Sequence, residues 1–299
     1  MGPLGEFWST KRRALSRGLR RHRPVMGIGS AFLILLSLQA QTPPLAKEYI
    51  RLNARVVAIE NTAAGSGGGH ARQFASATDQ VNWGPLPSSP LRIVGNLSIG
   101  MWIKLPSTAQ GCLICDGLGG SLNSSTAWPY FMSIAGSSGS WSIIVGHDTA
   151  TSNINNASSP FAAAIPNDTW VYLGLSRDTT AQTYMLYKSD GTSITTVGTF
   201  AYSGNPPSTA GTATGSQVIL SSADYRADLA LIHLVGSVEE HYVAARAWSS
   251  SEHLLAAQGN PPSGSLVLAC LMGNTPEVDI SGSGLSGTVT GTTLVAGHD

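Results

Sequence analysis

The stretch GNLSIGMWIKLPS, residues 95–107, decides the fold. Leu97, Ile99, Met101, Ile103 and Leu105 alternate with Asn96, Ser98, Gly100, Trp102 and Lys104. A two-residue period puts every aliphatic side chain on one face, so the stretch reads as a half-buried β-strand. Trp102 falls on the opposite face, which such a strand ordinarily leaves to water. Either its ring is a platform for a ligand, or something covers that face as well.

Outward from this strand the alternation recurs, broken by Gly, Pro, Ser and Asn turns. WPYFMSIAG and WSIIVGHD flank SSGS at 137–140, the pattern of a hairpin. DTWVYLGLSRD and QTYMLYKSDGTSITTVGTFAYS follow, with Asp190-Gly191 a tight-turn dipeptide. ARQFASATDQVNWG frames a turn at Thr78-Asp79, and SQVILSS, ADLALIHLVG and a Gly/Thr-rich tail complete the set. One helix is well signalled at 249–258. Ser249 precedes Glu252 by three residues as a capping box, Gly259 stands at the end, and Pro261-Pro262 forbid continuation. About a dozen strands and one short helix predict a large all-β sandwich or jelly roll.

Composition agrees. Of 299 residues only 11% are charged and 34 are Gly, while 42% are hydrophobic, enough for a sizeable core. The net charge of zero conceals an asymmetry. Residues 1–25 carry seven Lys/Arg against Glu6, leaving the rest with ten basic and sixteen acidic residues, a net of −6. The body therefore has no basic patch for nucleic acid.

Residues 1–40 form a leader: a basic run, then an apolar stretch of about a dozen residues, short of the ~20 that span a bilayer. It ends at Leu38-Gln39-Ala40, a tolerable signal-peptidase site. The export reading makes membrane contact transient; the rival reading is a retained arm with an apolar plug seated in an assembly. In residues 41–70, Tyr49, Leu52, Val56 and Ile59 fall on one helical stripe ahead of a Gly-rich hinge. We expect a short amphipathic helix over 46–61, as an oligomerisation stalk or packed on the sandwich. The sandwich itself is expected over 71–299.

The order of the pieces RQFASATDQVNWG, LSIGMWIKLP, TWVYLGLSRD, YMLYKSDG and ADLALIHLV…AARAWSSSEHLLAAQGNPP, within about residues 71–275, resembles the laminin-G-like members of the concanavalin A-like lectin/glucanase superfamily. The resemblance implies two stacked antiparallel sheets with a small third layer. It also implies that Trp102 occupies the family's tryptophan, covered by that layer, and gives Trp170 the same place. Such domains occur in exported adhesion proteins and in phage structural proteins, so the expected location is extracellular, on a cell surface or on a virion. The fold alone does not fix the function.

A search for chemistry is largely negative. G-x-S-x-G, H-E-x-x-H and phosphate-binding Gly loops are absent, and the seven His are scattered. A glucanase would carry two or three carboxylates on one strand face. Glu277 and Asp279 have that spacing, but Ser281 stands in the third position and the string lies among the last strands. Glu239-Glu240-His241 places two acids side by side, which on a regular strand point opposite ways, and reads as a solvated loop. Cys112 and Cys115 form a lone C-x-x-C without a second pair, so buried thiols are expected, with a bridge from either to Cys270 as the alternative. The sequons at Asn96, Asn123, Asn156 and Asn167 are what chance yields in so Asn-, Ser- and Thr-rich a chain.

These observations predict a non-catalytic recognition domain, binding glycan or protein partners and forming homo-oligomers or assemblies. A virion component and, less favoured, a polysaccharide-degrading enzyme are the alternatives. Trp83, Trp128 and Trp248 lie beside turns, where an exposed ring would stack on a sugar, and Asp148 ends a strand where it would bond hydroxyls. These four are the candidate contacts. No cofactor is implied, although Asp148 and Asp116 are loop carboxylates of the kind that bind Ca²⁺.

Overall fold

The structure, a computed structural model, describes residues 48–52, 55–60, 69–76, 78–107, 111–116, 127–137, 140–149, 156–212, 216–221 and 235–298. The leader lies outside them. The chain divides into two units, residues 1–64 and 65–299.

In the first unit the expected amphipathic helix is replaced by two strands, β1 (Glu48–Leu52) and β2 (Arg55–Glu60), paired antiparallel. Tyr49 and Ile59, members of the helical stripe, are cross-strand partners; Leu52 pairs with Arg55 at the turn, and Val56 with Arg51. The 3–4–3 spacing is real, but Ile50, Val56, Val57 and Ile59 are β-branched and lose χ1 freedom in a helix. A stripe of barely two heptads does not outweigh that.

The second unit begins with β3 (His70–Phe74), β4 (Gln80–Pro85), β5 (Leu97–Lys104), β6 (Gly111–Asp116), β7 (Phe131–Ser137) and β8 (Ser140–Asp148). It continues with β9 (Asn156–Ala164), β10 (Trp170–Asp178), β11 (Thr183–Ser189), β12 (Ile194–Ala201), β13 (Gln217–Ser221) and β14 (Gly236–Ala244). Helix α1 (Ser250–Ala257) precedes β15 (Leu266–Cys270), β16 (Glu277–Val278), β17 (Ser286–Thr290) and β18 (Thr293–Ala296). Two eight-stranded antiparallel sheets result. One has the order β12-β11-β10-β5-β14-β3-β18 with β15 also on β14; the other runs β16-β17-β4-β13-β6-β7-β8-β9.

The aliphatic face of β5 behaves as its alternation dictates. Leu97, Ile99, Met101, Ile103 and Leu105 are all buried in the inter-sheet core with Leu173, Leu175, Leu186, Val243 and, from the second sheet, Met132, Ile143 and Leu220. At roughly 1.5–3 kcal/mol per fully buried aliphatic side chain, this layer dominates the stability.

The opposite face of β5 is also dry. Trp102 is 3% exposed and packs with Tyr172, Tyr242, Trp248, Ala256 and Ala257 under α1. Helix α1 is thus the third layer, among the described residues the only helix. It forms where predicted: the Ser249 hydroxyl accepts from the Glu252 N–H while the Glu252 carboxylate accepts from the Ser249 N–H at 2.8 Å. Two facing glycines admit the helix. Gly100 and Gly174 are partners across β5 and β10, and a Cβ on either would collide with the Tyr172 hydroxyl or the His253 ring. Into that trough go His253 and Tyr172, joined Nδ1 to hydroxyl at 3.2 Å; Ser176 Oγ lies 2.9 Å from His253 Nε2 and donates to the Trp248 carbonyl at 2.7 Å.

A second buried polar cluster holds the loops at the other end. Arg177, fully buried, donates to the carbonyls of Ile93, Gly95 and Pro129 and to the Tyr184 hydroxyl. His147 is held by burial at a pKa of about 4, hence neutral. Its Nε2–H faces the Gly204 carbonyl at 2.9 Å, so Nδ1 must accept from Tyr184 at 2.7 Å.

Candidate functional site

The four tryptophan and aspartate candidates are all buried, which corrects the expectation of exposed rings. Trp83 lies in the inter-sheet core, its ring 6.0 Å from that of His241. Trp248 sits under α1, edge-on to His253 at 5.3 Å, and its backbone N–H donates to Ser98 Oγ. Trp128 stands edge-on to Phe131. Strand alternation turns Trp83 inward from β4, whereas Trp128 and Trp248 lie outside the strands, in connections that the fold itself buries, which residue spacing does not reveal. Asp148 is likewise not an open loop carboxylate. It closes β8, and its Oδ2 accepts from the Trp128 N–H at 2.8 Å, so it clamps the 127–129 segment. Burial raises its pKa. Among the described residues no group of three or more His, Cys, Asp or Glu is arranged to hold a metal ion.

Other chemistry-bearing strings are also committed to structure. Glu277 accepts from Arg72 Nε at 2.6 Å and from the Gly273 and Asn274 N–H groups, and Asp279 from Ala269, Ser281 and Ser283. Cys270 is a free, buried thiol whose pKa burial pushes up, so neither alternative bridge to it forms.

The string Glu239-Glu240-His241 departs furthest from expectation. It lies in β14, every residue of which is buried, and not in a solvated loop. Its acids do not point opposite ways either. Glu239 pairs with Trp102 and His241 with Met101, so the ladder skips Glu240 as a β-bulge, with φ at +49°. The extra residue cancels one alternation. His241 takes the core side, while Glu239 and Glu240 both reach the α1 side. Glu239 Oε2 accepts from the His298 N–H at 2.6 Å and from its Nδ1 at 2.8 Å. The His298 ring in turn stacks on Trp102, centroids 4.0 Å apart and planes 17° from parallel. The Glu240 carboxylate lies close enough to Tyr172 and Tyr242 to add, after burial, to the raising of both phenol pKa values.

Around this point opens a cleft of about 280 Å³ lined by Trp102, Asp190, Gly191, Glu240, Ala257, Gln258, Gly259 and His298. Its walls are three elements with independent reasons to be rigid. The β11–β12 turn is fixed by Asp190 Oδ1, which accepts from the Thr192 and Ser193 N–H groups at 2.9 and 2.8 Å; these bonds hold its carboxyl below the usual range. Gly191, at φ +86°, lets that turn pass against the Trp102 benzo edge. The end of α1 is pinned by Trp102 Nε1–H on the Ala257 carbonyl and by Gln258 Nε2–H on the Gly191 carbonyl. The floor is the bulge at Glu240. A strained, buried acid beside a cleft is a physical mark of a binding site. Asp190-Gly191 was visible in the sequence only as a turn, and Glu240 only as one of two adjacent acids in an apolar run.

No protein-family profile and no curated protein matches the sequence. Solved structures do resemble the fold. A heptameric SAP-like pentraxin from Limulus polyphemus superposes with a TM-score of 0.52 at 13% identity, over 79% of this chain and 98% of that one. A protein from Bacteroides ovatus ATCC 8483 named a "putative carbohydrate binding protein" gives 0.49 at 10% identity, over 76% of this chain and 60% of its own. The CBM40 of the Ruminococcus gnavus IT-sialidase gives 0.46 at 15%, over 62% and 96%. At these identities the pentraxin likeness speaks for the fold alone: a concanavalin A-like antiparallel jelly roll.

Proposed function

We propose that this concanavalin A-like sandwich is a non-catalytic recognition domain that binds glycans, displayed outside the cell or on a virion surface. The cleft at Trp102 carries the reading. It brings hydrogen-bonding groups on three rigid elements together in front of the buried Trp102, and its volume lies near the lower end of small-molecule sites, about 300–1,000 Å³. The fold supports it, since such sandwiches present small sites on a stable scaffold. Oligomerisation, through residues 41–64 or the sandwich itself, would multiply a weak single-site affinity.

Hydrolysis is the weaker reading. Asp190 and Glu240 line one cleft, but Asp190, held ionised by its own turn, fits only the base or nucleophile of such a pair, so the reading depends on Glu240 alone as the proton donor.

A glycan array probed with the full chain tests the proposal, beside a reducing-sugar assay on the glycans retained. Retention of a defined glycan class without release of reducing ends is expected. An array without signal overturns the reading, and release of reducing ends replaces it by catalysis.

A further inference from the structure

Resting on the glycan reading of this cleft, we infer that His298 is a displaceable internal ligand: its ring occupies the sugar platform of Trp102, and a glycan binds by taking its place. The register makes the platform. Glu239 and Trp102 are direct partners across β14 and β5, and both lie on the α1 side, so a group stacked on the indole also meets the carboxylate. His298 does both. Its ring lies flat on Trp102, centroids 4.0 Å apart, with Trp170 standing across it at 6.3 Å. Its backbone N–H and its Nδ1 both reach Glu239 Oε2, at 2.6 and 2.8 Å.

A pyranose offers the same two things, an apolar C–H face for the indole and hydroxyl donors for a carboxylate. The exchange therefore keeps Glu239 satisfied; fully buried, it would be costly to leave without a donor. Its Oε1 has no hydrogen-bond partner among the described residues, so a second hydroxyl of the incoming ring finds an acceptor that His298 leaves unused. Three features let the ring leave. Gly297 N–H donates to the Gly69 carbonyl at 2.9 Å and closes the pairing of β18 with β3, and His298 lies beyond that bond, so β18 stays paired without it. The His298 side chain is 15% exposed while Trp102 beneath it is buried, which makes His298 the outer member of the stack. The cleft already reaches both rings. A seated His298 lowers the apparent affinity by the fraction of molecules in which the platform is open.

The glycan array tests this when it is read with three proteins: the full chain, His298→Gly, which removes the ring, and Gly297→Ala, which keeps it. A Cβ on Gly297 would collide with both carboxylate oxygens of Glu239, so the second variant lifts the segment by a different route. Both variants should retain the glycans that the parent retains, at a half-saturating concentration about tenfold lower. Hydroxyl-radical footprinting read by mass spectrometry follows the platform itself. Oxidation of Trp102 should rise in both variants and fall back when a glycan retained on the array is added, while Trp141 in the inter-sheet core stays protected and reports folding. Parent-like or weaker binding by both folded variants overturns the inference and leaves the glycan reading standing. Trp102 oxidation that the retained glycan does not suppress does the same. Exposure of Trp141 in one variant leaves the other to decide; exposure in both shows that the segment holds the sandwich together, which also overturns the inference. An array silent for all three proteins removes both readings.

Discussion

Gly100 and Gly174 stand opposite each other on β5 and β10, and the absent side chains make the room that Tyr172 and His253 occupy. A Cβ on Gly174 would lie 2.5 Å from His253 Nδ1. Gly174→Ala must therefore lift α1 from the sheet or rotate His253 off Ser176, and overpacking of this kind costs about 1–3 kcal/mol. Urea denaturation should show that loss. An unchanged midpoint would mean that α1 is not seated as described.

Acid should unfold the sandwich well before its carboxylates are neutralised. Burial lowers His147 to a pKa of about 4 and His241 and His253 to about 3. Each folded value lies below the ordinary 6.5, so the folded state binds fewer protons than the unfolded chain. Their contribution is complete above pH 6.5 and is lost as pH falls toward 3 to 4. At pH 5 the loss is about 2 kcal/mol per imidazole, about 6 kcal/mol in all, comparable to the net stability of a domain. Urea midpoints at about pH 7, 6 and 5 should fall steeply; a flat profile contradicts the burial of these rings.

His241 offers a sharper version. Neither ring nitrogen has a hydrogen-bond partner, although the residue is fully buried beside Trp83. Replacing it by an apolar residue of like size removes a desolvated polar group and restores packing. His241→Leu should raise stability by about 1–3 kcal/mol at neutral pH and flatten the acid slope by about a third. Destabilisation would mean that the imidazole has a role this geometry does not include.

Arg177 is the opposite case, a buried cation whose donors are all used on the carbonyls of Ile93, Gly95 and Pro129 and on Tyr184. Arg177→Met leaves several carbonyls unsatisfied and should cost more than about 3 kcal/mol. Arg177→Lys should recover little, because three donors on a flexible stem cannot replace a five-donor fork. Thermal melts of the two variants should nearly coincide; full rescue by Lys would show that charge alone matters there.

Asp148→Ala should cost about 1–2 kcal/mol through loss of the acceptor for the Trp128 N–H, with the same cost in EDTA and in calcium. Asp148→Asn, which retains an acceptor oxygen, should melt near the parent. A calcium-dependent difference between parent and Asp148→Ala would return this residue to the ligand-binding list.

Much of the architecture was legible because it depends on patterns local to the chain. The period of two in 97–105, the Ser249–Glu252 box with Gly259 behind it, and the Asp190-Gly191 turn each act within a few residues, and each appears where expected. The 48–60 segment was not, since its apolar spacing suits a helix while its β-branched residues suit strands, and cross-strand pairing outweighed the helical stripe.

The linear order of side chains determined that this protein has a two-faced strand at its centre and a capped helix near its end. Only the assembled sheets decided which tryptophans see water and which acids meet. A bulge is defined by the partner strand: Glu240 is extra only because Glu239 and His241 face the consecutive residues Trp102 and Met101 on β5. One skipped residue reverses the parity of everything after it, turning two acids that alternation separates into neighbours on one face, which is what brings Glu240 to the cleft.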